Sequence, residues 1–271
     1  MSFSPIIPAG GLVGWRFLNR TLERQQSAFS DDKTLQREEA YFRANIGKVR
    51  TAGELVADRR LLSFALDAFG LGGDLANRAF VRKVLESRSG DSGALANKLA
   101  DKRYREFAGA FGFAEPGGPR TTLSARVERI VNQWRQERFE QAVGTVDEDM
   151  RIALNARSEI ARIADQAGTD DGRWYAVLGS APLRAFIQAA LALPSSFASI
   201  DLDKQVETLR GRLRSTVGES EVSALSNPAK LEKLTRSYFL RSDAAPSASS
   251  GTTALTLLSQ AAASNRLSRR F

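Results

Sequence analysis

The phrase ADRRLLSFALDAFGL at residues 57–71 returns as ADKRYREFAGAFGF at residues 100–113. Both copies share A-D-[R/K]-R, a Phe-Ala pair six residues after the Asp, and a closing Ala-Phe-Gly. Their common positions are apolar residues at helical spacing followed by glycine, the pattern of a helix that buries one face and stops in a left-handed cap. A weaker third copy, PLRAFIQAALAL, sets Leu183, Phe186, Ala190 and Leu193 where the first has Leu61, Phe64, Ala68 and Leu71. In it Ala192 stands where glycine stood, and Pro194 supplies the stop. No copy carries a recognisable catalytic group, so the phrase encodes packing, with Phe64, Phe69, Phe107, Phe111 and Phe186 as expected core.

The first two copies are offset by 43 residues at Asp58 and Asp101 and by 42 at Phe69 and Phe111. That period fits helical repeats of roughly 40 to 47 residues. The third copy, 122 residues after the first, breaks it. The expectation is therefore an all-α fold, a compact multihelical bundle with an internally duplicated helical motif, and not an open solenoid.

Helical periodicity predicts segments at about 12–28, 33–49, 52–69, 75–87, 93–111, 122–142, 147–167, 181–193, 202–216 and 228–240. Thr51 to Glu54 reads as a capping box, Gly70 and Gly112 as helix stops, and Asp74 and Ser180 as N-caps. Strand-like alternation is nowhere sustained. Residues 1–242 are expected to form the multihelical domain, with an apolar N-terminal segment over 1–15. Residues 243–271 begin with the small-residue run AAPSASSGTT and read as a linker, then one short helix at ALTLLSQAAASN and a basic end.

Composition removes several chemistries. With no Cys and no His there is no thiolate nucleophile, no cysteine zinc site and no Ser-His-Asp or Cys-His triad. No cofactor or transition metal is expected. Lys and Arg outnumber Asp and Glu by 39 to 31, a formal +8 that permits an acidic protein, nucleic acid or an anionic surface as partner. No apolar run approaches the roughly 20 residues of a membrane span. The opening MSFSPIIPAGGLVGW lacks the basic start of a Sec-type signal peptide.

Four clusters invite functional readings. Gly70-Leu71-Gly72-Gly73 lacks both the preceding strand and the third glycine of a dinucleotide-binding loop, and reads as a cap and turn. Asp147-Glu148-Asp149, Asp170-Asp171 and Asp201 with Asp203 fall at helix starts, where negative charge offsets the helix dipole. Arg126, Arg129, Arg135 and Arg138 surround Trp134, a basic and aromatic combination suited to nucleic acid. Leu123, Val127, Ile130 and Val131 nevertheless place Trp134 on a buried stripe. The fourth is the N-terminal segment, whose prolines and glycines prevent a full-length helix. Its apolar residues Phe3, Ile6, Ile7, Leu12 and Trp15 must dock on the body, on a partner or on a second copy.

The segments EAYFRANIGKVRTAGELVADRRLLSFALDAFGL, FVRKVLES, ALANKLADKRYREFAGAFGF, VLGSAPLRAFIQAALALPSSF and NPAKLEKLTRSYFL together resemble the bacterial domain of unknown function 1217, over about residues 1–241. The resemblance implies a multihelical fold and carries no catalytic residues. An opening Met-Ser-Phe and Gly-Gly-x-x-Gly-Trp is similar to members encoded among alphaproteobacterial flagellar genes. It implies a non-enzymatic structural or interaction protein of the flagellum, with flagellar protein partners or self-association, in the bacterial cytoplasm or the basal body. The alternative from charge is a basic helical nucleic-acid-binding regulator.

Overall fold

A computed structural model describes residues 3–165 and 168–242. Several helices begin where the sequence supplies a cap. Helix α1 spans Gly11–Ser30, and α2, Lys33–Ile46, starts on Asp32, whose carboxylate accepts from the amides of Thr34 and Leu35. Helices α3 (Ala52–Ala57) and α4 (Arg59–Asp67) follow, then α5 (Arg78–Leu85), α6 (Leu95–Lys98) and α7 (Arg103–Phe111). The longest, α8, runs Ser124–Gly144 and turns into α9, Glu148–Asp165. Helices α10 (Asp170–Gly179), α11 (Ala181–Ala190), α12 (Leu202–Val217) and α13 (Pro228–Ser242) complete the described body. Among the described residues there is no strand.

Two of the expected helices are each broken in two, at the Asp of the repeated phrase. Asp58 is extended (ψ 103°) and its carboxylate accepts from the amides of Arg60 and Leu61 and from the Tyr41 hydroxyl at 2.7 Å. An aspartate so bonded competes with the helix and restarts it, so residues 52–69 form α3 and α4. Asp101 does the same more weakly between α6 and α7, accepting from the Arg103 amide at 3.0 Å. Asp74, expected as a cap, lies in a single 3-10 turn and accepts from the Tyr104 hydroxyl, so α5 begins only at Arg78. Helix α10 was not expected at all. Thr169 caps it, and it buries Trp174 despite Gly172 in its first turn.

Helices α8 and α9 are the axle of the fold. Helix α8 packs on α4 and α2 on one side and on α9 on the other, while α9 meets α10, α11, α13 and the turn at Val222–Ser226. One connected apolar cluster runs from Trp15 to Phe239. Phe64, Phe69, Phe107, Phe111, Phe186 and Trp134 are all buried in it. The first two copies of the phrase meet in one aromatic group of that cluster and the third feeds another. Phe64 is stacked between Phe42 and Trp134 with ring centroids 4.2 and 4.3 Å away. Phe69 and Phe111 flank Phe107, and Phe186 packs on Tyr238, which meets Phe239. No described helix is long and apolar enough to cross a membrane.

Candidate protein-docking site

The N-terminal segment folds back along α1. At its turn, a Cβ on Gly14 would stand 1.8 Å from the Ala9 carbonyl oxygen and 2.8 Å from Met150 Cε, so only glycine fits there. Two side chains then hold the segment: Asp32 accepts from the Phe3 amide at 3.4 Å, and Gln25 takes Ile6. Gln25, buried on α1, accepts from the Ile6 amide at 2.8 Å and donates to the Ile6 carbonyl at 3.1 Å, satisfying both backbone groups of one residue. Its amide also donates to Thr21 Oγ1 at 2.8 Å, which fixes the rotamer. Phe3 meets Phe29 edge-on at 5.6 Å and Phe139 at 6.5 Å.

This geometry divides the five candidate docking residues. Trp15 is fully buried, tilted on Phe239 at 5.4 Å with its indole N–H donating to Glu232, and offers nothing to a partner. Phe3, Ile7 and Leu12 pack on the protein's own core. Ile6 alone of the five points outward, 63% exposed, on a backbone that Gln25 clamps, and Val13 on the first turn of α1 is 72% exposed. The sequence pattern did not single out Gln25, and it set Val13 with Phe17, Leu18 and Leu22 on the apolar face of the first helix, where the structure leaves it exposed. A buried glutamine 19 residues from its partner leaves no local signature, and Val13 shares helical spacing with the core positions around it.

Beside the clamp lies a groove of about 870 Å³ between α1, α8, α9 and α13. Leu22, Phe139, Leu154 and Leu231 line it, and Arg16, Arg20 and Arg157 stand at its rim. Glu140 lines it too as a buried carboxylate that accepts from Gln136 at 3.0 Å and from Asn155 and Ser158 at 3.3 Å; burial pushes its pKa up against those bonds.

A second cleft, of about 440 Å³, opens between α7, α9 and α10. Two of its arginines are paired within the protein. Arg103 binds Asp101 and the Gly70 carbonyl, and Arg162 bridges Glu106 and Glu159. Behind it Glu137 has its carboxyl raised to about 8, first by burial and then by Glu140 and Glu159. Ser180 lines the cleft without making a side-chain cap, and Lys102 on the same wall donates to the Leu99 carbonyl. Among the described residues no group of three acidic side chains converges as a metal site.

The other sequence candidates resolve into caps and ion pairs. Gly70 takes φ +65° at the end of α4, and the following glycines form the 3-10 turn. Asp147 accepts from the Met150 amide and Asp201 from those of Asp203 and Lys204, while Asp170 binds the Val222 amide and Arg210. Of the arginines around Trp134, Arg135 is bonded at 2.5 Å through two nitrogens to Glu39, a buried carboxylate that also holds Arg43. Arg138 lies over the Trp134 ring at 5.8 Å.

The family described as protein of unknown function (DUF1217) matches residues 68–231. The crystal structure of protein AGR_C_984 from Agrobacterium tumefaciens shares the fold, with a TM-score of 0.69 over 87% of this chain and 97% of that one at 24% identity. No curated protein matches the chain.

Proposed function

The chain belongs to the DUF1217 family, and from that premise we propose that it is a non-enzymatic interaction protein of the bacterial flagellum, working through its N-terminal segment and α1. The observation that carries the interaction reading is Ile6. Its backbone is fixed at both polar groups by Gln25 while its side chain is left in solvent, an arrangement that presents an apolar group with little entropy left to lose on binding. The absence of Cys and His, and the pairing of charge in the cleft between α7, α9 and α10, support a role without chemistry. Flagellar association rests on the likeness of the opening MSF and GGLVGW to members encoded among flagellar genes.

The test is affinity purification of the tagged full chain from motile cells, beside the same chain carrying Ile6→Asp. Flagellar components retained by the first and lost from the second support the reading. A set of co-purifying proteins that Ile6→Asp leaves unchanged refutes the role of the N-terminal segment, and a set without flagellar components refutes the association.

A further inference from the structure

We propose that this protein assembles head to tail, the exposed side of α1 and the N-terminal segment of one copy docking on the corner between α10 and α12 of the next. The inference rests on the reading of that segment as a docking surface and names its occupant, a second copy of this chain.

The α1 face is apolar at one end and basic along its length. Val13, Arg16, Arg20 and Arg24 follow at spacings of three, four and four residues, so they stand on one solvent-facing side of the helix over about 16 Å. Arg20 lies over the Phe17 ring at 5.8 Å. None of the three arginines has an ion pair among the described residues, although Glu23 stands on the same helix.

The corner between α10 and α12 is the counterpart. Ile200 and Leu202, where α12 begins, are 41 and 49% exposed. Tyr175 on α10 is exposed too and donates to Asp203 at 2.7 Å. That bond raises the pKa of the Tyr175 hydroxyl, and Asp171 and Asp201 add to it, so three carboxylates surround one exposed ring. Glu207, one turn after Asp203, is exposed and has no ion pair. Arg210 is taken up by Asp170 and Asp171, and Lys204 lies about a quarter turn round α12 from Asp203.

Each face therefore sets exposed apolar side chains beside charge of one sign, and the two signs are opposite. Asp203 and Glu207 are four residues apart, as Arg20 and Arg24 are, so both pairs are spaced by about 6 Å. Pairing α1 with α1 would set arginines against one another. Nucleic acid or an anionic membrane would engage the arginines and leave the acidic corner without a partner, whereas a second copy covers both faces in one contact. Because the two faces differ, the contact repeats into a ring or an open chain.

The experiment uses the purified full chain alone, so its outcome is independent of any flagellar component. Two variants each remove one face: Val13→Ser with Arg20→Gln and Arg24→Gln, and Leu202→Ser with Asp203→Asn and Glu207→Gln. Ile6 is kept in both. In sedimentation velocity at low salt the mass of the unaltered chain should climb past that of a dimer as concentration rises, and high salt should weaken the association by at least about tenfold. Each variant alone should be monomeric. Their mixture should form a one-to-one dimer and nothing larger, because it holds one intact face of each kind. Arg20→Gln and Glu207→Gln as single changes serve if the triple variants do not fold. An unaltered chain that stays monomeric at low salt overturns the proposal and leaves α1 to a foreign occupant. Duplex DNA or phosphatidylglycerol vesicles bound by the unaltered chain and not by the first variant would then say which. Association that the first variant loses and the mixture does not restore also overturns it, in favour of a symmetric contact. Capture of flagellar components through Ile6 stands or falls by its own test in every case.

Discussion

Ala192 holds the left-handed backbone position at φ 52° that Gly70 holds at φ 65°, 122 residues earlier in the chain. The hydrogen bonds around the two residues are the same. The amide of Leu71 reaches back to the Leu66 carbonyl and that of Leu193 to the Gln188 carbonyl, each at 2.9 Å, closing the six-to-one bond of a Schellman motif. The third copy of the phrase therefore keeps the cap geometry of the first with a residue that pays for its Cβ, and it is the only non-glycine with positive φ among the described residues.

Ala192→Gly should accordingly stabilise the protein. Left-handed strain of about 1–2 kcal/mol is relieved, offset by about 0.5–1 kcal/mol of added unfolded-chain entropy, for a net gain of up to about 1.5 kcal/mol. Gly70→Ala should do the reverse and lose more, since its Cβ would stand 2.9 Å from an Arg103 guanidinium nitrogen that donates to the Gly70 carbonyl. Urea unfolding of both variants measures the two signs; equal and small effects would contradict the equivalence of the caps.

Phe64→Ala should cost about 3–5 kcal/mol, because it empties the middle of a three-ring stack that joins α2, α4 and α8. Loss of the near-ultraviolet dichroism of Trp134 should accompany the fall in stability. A variant that kept both would show that the first copy of the phrase is not core.

What the sequence disclosed and what it hid divide by range. Gly70 and Gly112 were legible as stops, and Phe64, Phe107 and Phe186 as inward-facing, because cap and stripe are written within a dozen residues. The break at Asp58 was missed because it depends on the Tyr41 hydroxyl as well as on local amides. Glu39 and Arg135 lie 96 residues apart, and nothing near either announces that one carboxylate gathers arginines from α2 and α8. The Gln25 clamp and the groove are likewise products of assembly. They form where α1 crosses α8, α9 and α13, and no single segment carries their outline.

Stability should fall as pH rises from about 4.5 to about 8. Burial, with Glu140 and Glu159 nearby, raises the Glu137 carboxyl in the folded protein to about 8 from 4.5. The folded state then binds more protons than the unfolded one across that window, so ΔG of unfolding declines through it and levels off above. Burial raises Glu106 and Asp67 in the same sense, whereas Asp32, Glu128 and Glu148 are lowered and act only at more acid pH. Glu137→Gln should flatten the slope and raise stability at pH 8, by an amount on the order of a few kcal/mol at most. An unchanged slope would show that Glu137 ionises freely in the fold.

Gln25→Ala should loosen the N-terminal segment around Ile6 without unfolding the body. Ile6 loses its partner at both backbone groups, which water can replace at this exposed residue, so the cost is about 1 kcal/mol. Hydrogen exchange of residues 3–9 should accelerate while that of α9 does not change. Uniform acceleration across the chain would mean that the clamp supports the core itself.

The last prediction separates protein docking from nucleic-acid binding. The net charge of +8 attracts DNA whatever the function, so only the form of the binding is informative. Arg135 is committed to Glu39 and Arg138 to the face of Trp134, which leaves Arg126 and Arg129 on α8, and of these Arg129 is the exposed one and the better placed to meet phosphate. If the protein docks on a partner through its N-terminal segment, Ile6→Asp should abolish partner capture, change stability by no more than about 0.5 kcal/mol, and leave weak DNA binding as it was. Arg129→Ala should then affect neither partner capture nor motility. If it works on nucleic acid, Arg129→Ala should lower affinity at every sequence and reduce the slope of log K against log salt by about 1, as loss of one phosphate contact requires. A salt titration of DNA binding by both variants, run beside a motility assay, measures all of these. Tight binding that steepens with falling salt and is lost with Arg129, in cells whose motility tolerates Ile6→Asp, would overturn the docking reading in favour of the nucleic-acid one.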